Sequence, residues 1–214
     1  MHIVNKKSRK MFYKIKTNRL VIRCYQPQDA FLLKKSVDES IEHLKTFMPW
    51  AHDEPQTIEQ KIELIRFFRG NFDLNKDFTM GIFNADETKL LGGTGLHKRV
   101  GENALEIGYW VNVFAINNGY ATETSAALTK AGFDFLGLDR IYIFHNKKNT
   151  ASSKIPEKLG YKIISKDAVP KERAEILATQ GEHLFWEMTK EDFQKSTIKN
   201  IDIKFFDILN NIIK

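Results

Sequence analysis

Residues 106–161, EIGYWVNVFAINNGYATETSAALTKAGFDFLGLDRIYIFHNKKNTASSKIPEKLGY, place a β-like run before Asn117-Asn118-Gly119 and a helical pattern directly after it. A helix N-terminus offers unpaired N–H groups and about half a positive charge. Glycine and asparagine tolerate the left-handed backbone that brings such groups close to a phosphate. Asn117, Asn118, Gly119, Tyr120, Ala121 and Thr122 are therefore a candidate pyrophosphate cradle; taken alone, the same residues would equally form a plain left-handed turn. The stretch is neither a GxxxxGK[ST] loop nor a dinucleotide fingerprint, because Gly93-Thr94-Gly95 is followed by Lys98 where a third glycine would stand. Glu106 is an acid on a predicted strand, suited to proton abstraction or to an exposed ion pair. Asn149 and Ser152 open a short helical pattern, where either would cap the N-terminus. Six histidines show no HxH or HExxH spacing, so no metal site is expected.

The elements that must position these residues follow from periodicity. Alternation predicts strands over 20–25, 78–83, 89–99, 105–113, 140–145, 161–165 and 184–188. Leu105, Ile107, Tyr109, Val111 and Val113 share one face of the fourth. Helical spacing follows Asp29 and covers 57–72, where Thr57 and Gln60 form a capping box, then 119–135 and 152–159. Hairpins mixed with helical crossovers imply an α/β (α+β) fold, a mixed sheet of about seven strands with helices on its faces. The chain has 214 residues, 42% apolar and 28% charged. That suits one domain and excludes collagenous, coiled-coil and wholly disordered classes. The single cysteine, Cys24, excludes an intramolecular disulfide framework. No apolar run reaches the ~20 residues of a membrane span; a cytoplasmic protein is expected.

Several separate pieces resemble the GCN5-related N-acetyltransferase (GNAT) superfamily, and most nearly its ribosomal-protein alanine/serine N-terminal acetyltransferase-like branch. TNRLVIR with QPQDA resembles the opening strand and helix, HLKTFMPWA the loop before the second helix, and LEIGYWV the fourth strand. NNGYATE, NTASSKIPEKLGY and TKEDF resemble the phosphate loop, the short helix and the closing signature. The resemblance runs from about Thr17 to Phe193. It implies an acyl-CoA N-acyltransferase fold, a mostly antiparallel sheet, and acetyl-CoA as donor. It further implies a fourth strand splayed from its neighbour, so that the pantetheine arm pairs with backbone at Val111 and Val113. Glu106 matches a position for a base acting through water, Asn149 a contact to the cofactor arm, and Ser152 a hydrogen-bond donor to the leaving thiolate. Pro156 stands where many relatives carry an acidic tyrosine, and Ile116 and Asn117 depart from the usual Gln/Arg-x-x-Gly-x-Gly/Ala loop.

On the acceptor side Met48 and Trp50 are expected over the substrate cleft, with His97 at its mouth. The acceptor would be a primary amine, on a protein N-terminus or a small molecule. Residues 1–16 are read as a basic lead-in. The run Lys6 to Arg19 contains no acid, which suits contact with RNA or the ribosome; an inactive, RNA-binding module is the alternative function. The spacing of Ile201, Phe205, Ile208 and Ile212 predicts an amphipathic helix over 194–214, docked on its own domain or at a homodimer contact, with membrane association disfavoured.

Overall fold

The computed structural model describes residues 11–214. Nine strands form one sheet: β1 (Lys14–Lys16), β2 (Leu20–Arg23), β3 (Phe78–Asn84), β4 (Leu90–His97), β5 (Ala104–Val111), β6 (Arg140–Asn146), β7 (Lys162–Ile164), β8 (His183–Thr189) and β9 (Lys204–Phe206). Their spatial order is β7-β8-β6-β5-β4-β3-β2-β1-β9. Every pair is antiparallel except β5 with β6. The helices are α1 (Ala30–Asp38), α2 (Ile41–Lys45), α3 (Ile58–Asp73), α4 (Tyr120–Ala131), α5 (Thr150–Lys158), α6 (Lys171–Ala178) and α7 (Lys190–Lys195).

Period-2 alternation sorts the strand side chains onto two faces. Leu20 and Ile22 of β2, with Ile107 and Ile141, join Ala127, Leu128 and Ala131 of α4 in the larger core. Val21 and Phe83 meet Leu33 and Val37 of α1 and Ile65 of α3 on the other face. The capping box at Thr57 and Gln60 starts α3 as expected. α4 is shorter than its sequence pattern: a single π-turn, Gly132–Leu136, continues it, and Gly137, at φ 64°, ends it.

The seven expected strands are all present, and the three-residue β1 and β9 join them at one edge to make nine. Two other expectations are corrected. Part of the expected lead-in belongs to that edge: Phe12 and Ile15 are fully buried, and β1 pairs with β2 and β9. Residues 6–10 of the basic run lie outside the described residues. The C-terminal segment is no long amphipathic helix. After α7 and a 3-10 turn at Thr197–Asn200 it forms β9, then a turn at Asp207 that brings Ile212 back against Phe206. Only Phe205 of the expected stripe is fully buried, against Phe12 and Phe135, while Ile208 and Ile212 face solvent. Phe205→Ala should therefore cost about 3–5 kcal/mol, measured by equilibrium denaturant unfolding; a tail that merely lay on the surface would show less than about 1 kcal/mol.

Candidate active site

The site grows from a single discontinuity in the sheet. β5 and β6 pair only from Ala104↔Arg140 to Ile107↔Ile143. Beyond that each strand follows its outer neighbour. β6 stays paired with β8 through Phe144↔Phe185, His145↔Leu184 and Asn146↔His183. β5 stays paired with β4 as far as Gly92↔Val111. Its end is held toward α1 by the buried Asn112, whose Nδ2 donates to Ser36 O, Ser36 Oγ and Glu39 Oε2. A fork opens at Gly108 and Phe144.

Hydrogen-bond direction alternates along an antiparallel strand. Asn112 N–H donates to Leu91 O, so the peptide groups of Tyr109 and Val111 turn the other way, into the fork. Val111 is thus where the sequence expects a strand-like ligand to pair. Val113 is not: the chain has left the sheet for the 3-10 turn Val113–Ala115, and Val113 N–H is taken by Ser40 Oγ at 3.0 Å.

Below the fork Asn117 (φ 63°) and Gly119 (φ 76°) adopt the left-handed backbone that aims the start of α4. The first helical bond runs from Glu123 N–H to Gly119 O, which leaves the N–H groups of Tyr120, Ala121 and Thr122 pointing out of the helix end. Asn118 Nδ2 donates to Ala115 O and Ile116 O, tying the loop to itself. The polar side chain that Ile116 lacks is replaced from elsewhere. Arg19, between β1 and β2, donates from Nη1 to Asn118 O and from Nε to Glu123, and lies over the Tyr120 ring.

At the fork Asn149 Oδ1 caps α5 by accepting from Ser152 N–H, so capping and positioning are one contact. Ser152 Oγ is 2.6 Å from Tyr109 Oη. Burial raises the Tyr109 phenol to about 12, against the smaller opposing effect of the Ser152 hydrogen bond, so it stays protonated at neutral pH. A phenol thus reaches Ser152 from β5; its place on one face of the strand was visible in the sequence, its partner was not.

Glu106 is at the cleft, 2% exposed, and the structure disfavours the expected base role. Arg99 donates to both its oxygens (2.9 and 2.6 Å), and so does Arg173 of α6 (2.7 and 2.8 Å). Burial works against its charge, but hydrogen bonds and charge from the two guanidiniums hold its carboxyl below the ordinary range. A carboxylate so engaged has little tendency to take a proton.

His97 lies directly opposite Glu106 in the β4–β5 register. Its Nδ1 is 2.9 and 3.1 Å from the Asp77 oxygens. Trp50 packs at 5.9 Å against Trp110, and Met48 precedes the 3-10 turn, Pro49–Asp53, that carries Trp50. The buried ion pair Lys61–Glu54 lies behind them. One cleft of about 710 Å³ joins these residues to Tyr109, Asn149 and Ser152 at the fork. Cys24 is buried elsewhere in the larger core, and burial raises its thiol to about 12. Tyr161 is buried with its hydroxyl 2.6 Å from Thr129 Oγ1. Among the described residues no cluster of His, Cys, Asp or Glu could hold a metal ion, and no helix is long and apolar enough to cross a membrane.

A strand fork beside an unpaired helix N-terminus is the architecture of an acyl-coenzyme A transferase, and comparison with known proteins agrees. Residues 19–162 match the family model described as an acetyltransferase (GNAT) domain. The chain belongs to this family and is an acetyltransferase. The uncharacterized N-acetyltransferase YoaA of Bacillus subtilis is 28% identical over 152 residues, spanning 71% of this chain and 84% of YoaA. A GNAT-family acetyltransferase from Bacillus anthracis superposes with a TM-score of 0.64 at 25% identity, covering 83% of this chain and 99% of that one. Mycobacterium smegmatis RimJ, solved with a CoA-disulfide, shares the fold with a TM-score of 0.67 at 17% identity over 89% of this chain and 92% of its own.

Glu106→Gln would leave the largely enclosed Arg173 without its charge partner and should cost about 3 kcal/mol at pH 7. The depressed carboxyl contributes stability that is present above its ordinary value of 4.5 and is lost as pH falls through the lower folded value. Unfolding measured between pH 7 and 3 should therefore fall more steeply for the wild type than for Glu106→Gln below about pH 4.5; parallel curves would contradict the clamp.

Proposed function

We propose that the protein transfers the acetyl group of acetyl-CoA to a primary amine, on a protein N-terminus or a small molecule, by direct transfer in a ternary complex. The observation that carries this reading is the fork at Gly108 with its inward-facing peptide groups at Tyr109 and Val111. A fork with free peptide groups takes an extended arm as an added strand. The N–H groups of Tyr120 to Thr122 suit the diphosphate at the other end of the same ligand. Ribosomal-protein acetyltransferases among the structures that share the fold support a protein acceptor.

Bound acetyl-CoA supplies a thioester carbonyl activated for attack by nitrogen. The chain's residues do the rest. Asn149 and the start of α5 fix Ser152 at the fork, where its hydroxyl is placed to donate to the departing sulfur. Tyr109, kept protonated by burial, backs Ser152 as a hydrogen-bond partner and proton reserve. Trp50 and Trp110 wall the acceptor side and exclude water. Glu106 holds Arg99 and Arg173 across the same cleft and acts as a positioning residue. With both reactants in one cleft, proximity and orientation supply much of the rate. No acyl-enzyme is required, since the thiol of Cys24 is buried and un-ionised.

Release of free thiol from acetyl-CoA over an amine panel tests the activity directly; no amine-dependent release from any peptide N-terminus or small amine would overturn it. Ser152→Ala should lower kcat by about 10-fold or more while coenzyme A binding by calorimetry stays within about 3-fold; an unchanged kcat on a substrate whose chemistry limits turnover removes Ser152 from the acid role.

A further inference from the structure

With Glu106 clamped, the cleft needs another group to take the proton from the acceptor amine. We propose that His97, held by Asp77, is the general base, an assignment that rests on the acetyl-transfer reading above.

The geometry is that of an oriented imidazole. Nδ1 is within hydrogen-bond distance of both Asp77 oxygens. A carboxylate can only accept, so Nδ1 carries a proton, and in the neutral ring the lone pair is then on Nε2. Asp77 is itself fixed by Thr79 Oγ1 at 3.0 Å. Burial opposes its charge, yet the hydrogen bonds from His97 and Thr79 hold its carboxyl below the ordinary range. Nε2 has no partner among the described residues, and the ring lines the cleft.

Two glycines place it there. A Cβ on Gly95 would fall 2.7 Å from Nε2, and one on Gly108 would fall 3.1 Å from it. Only bare backbone on β4 and β5 lets the ring lie flat over the sheet. Gly108 is also the first residue of β5 beyond its last pair with β6. The free nitrogen therefore sits at the apex of the fork, in the same cleft as Ser152. The charged groups facing it are Asp77 before β3, Glu106 and Arg99 from the β4–β5 side, and Arg173 from α6. Arg99 and Arg173 each direct Nε and Nη2 to the Glu106 oxygens, so these donors are turned away from the Nε2 lone pair.

The proton inventory closes. His97 Nε2 takes one proton from the ammonium form of the acceptor, directly or through one water, and later passes it to solvent. The neutral nitrogen forms the C–N bond as the C–S bond breaks. Ser152 Oγ gives its proton to the departing sulfur, and the second nitrogen proton, lost as the amide forms, restores it by way of water and Tyr109 Oη, so that one proton in all goes to solvent. The histidine must be neutral to act, so a protonated ring is inactive and acid lowers the rate.

The test uses the full chain. Multiple-bond 1H–15N NMR of the histidine rings should show His97 as the Nδ1–H tautomer at neutral pH; an Nε2–H tautomer overturns the proposal. His97→Gln and His97→Ala should each lower kcat/KM for the amine by about 10²-fold or more and abolish the acid limb of its pH profile. Their coenzyme A affinity by calorimetry should stay within about 3-fold. Added imidazole should restore part of the His97→Ala rate, because the space over Gly95 and Gly108 is then vacant. Asp77→Asn should lower kcat/KM for the amine with coenzyme A affinity unchanged, and weaken the Nδ1–H preference of His97 in the same NMR spectra, as expected of a positioning residue. An unchanged acid limb in His97→Gln, or loss of coenzyme A binding in both variants, overturns the base assignment. A wild type that releases no thiol with any amine fails the acetyl-transfer reading instead, so the two failures are distinguishable.

Discussion

The molecule depends on the competition of β4 and β8 for the two strands between them. A parallel seam of four residue pairs is a small contribution beside the antiparallel ladders that flank it. Asn112 decides where the seam ends. Its buried amide reaches back across 76 residues to Ser36, and that attachment draws β5 toward α1 while β8 keeps β6. Unpaired peptide groups in a sheet interior are costly unless something else satisfies them. Their presence beside a helix start whose N–H groups are also unpaired gives the fork its meaning as a ligand site. One side-chain amide thus connects the packing of the first helix to the shape of the cofactor slot.

Two carboxylates near the cleft take different roles because their partners differ. Glu106 faces two guanidiniums and is fixed as an anion whose work is to hold them. Asp77 faces an imidazole and fixes its orientation through Nδ1. The distinction rests on which cations the fold brings up. Arg173 arrives on α6, in the connection between β7 and β8, and His97 arrives through the β3–β4 hairpin. Sequence position makes Glu106 prominent; the neighbours that alter its chemistry are 7 and 67 residues away.

Much of this was legible in the chain. Alternating strands, the Thr57 capping box and the NNG–helix junction follow from local rules, and the fork itself was implied by family resemblance. What escaped has physical causes. β1 and β9 are three residues long, too short for period 2 to show, and exist because Phe12, Ile15 and Phe205 are drawn into a core built by other elements. The tail's apolar residues fit a helical period by spacing, but the pairing of β9 with β1 uses Phe205 inward and leaves Ile208 and Ile212 outside. α6 lies in a charged stretch with little amphipathic signal, so Arg173 could not be foreseen at Glu106. Asp77 and His97 meet only through strand register, and Tyr109 meets Ser152 only because α5 returns to the fork. Arg19, which braces the loop where Ile116 cannot, was read as part of a basic run; its partner Glu123 is 104 residues distant.

The open seam has one more implication. A ligand that satisfies both rows of peptide groups becomes, in effect, a tenth member of the sheet, and a chain bound in that way resists unfolding in proportion to the logarithm of ligand supply. Abundant acyl donor would then prolong the life of the folded chain, and scarcity would shorten it, so that the metabolic state of the cell would reach this enzyme's persistence as well as its rate.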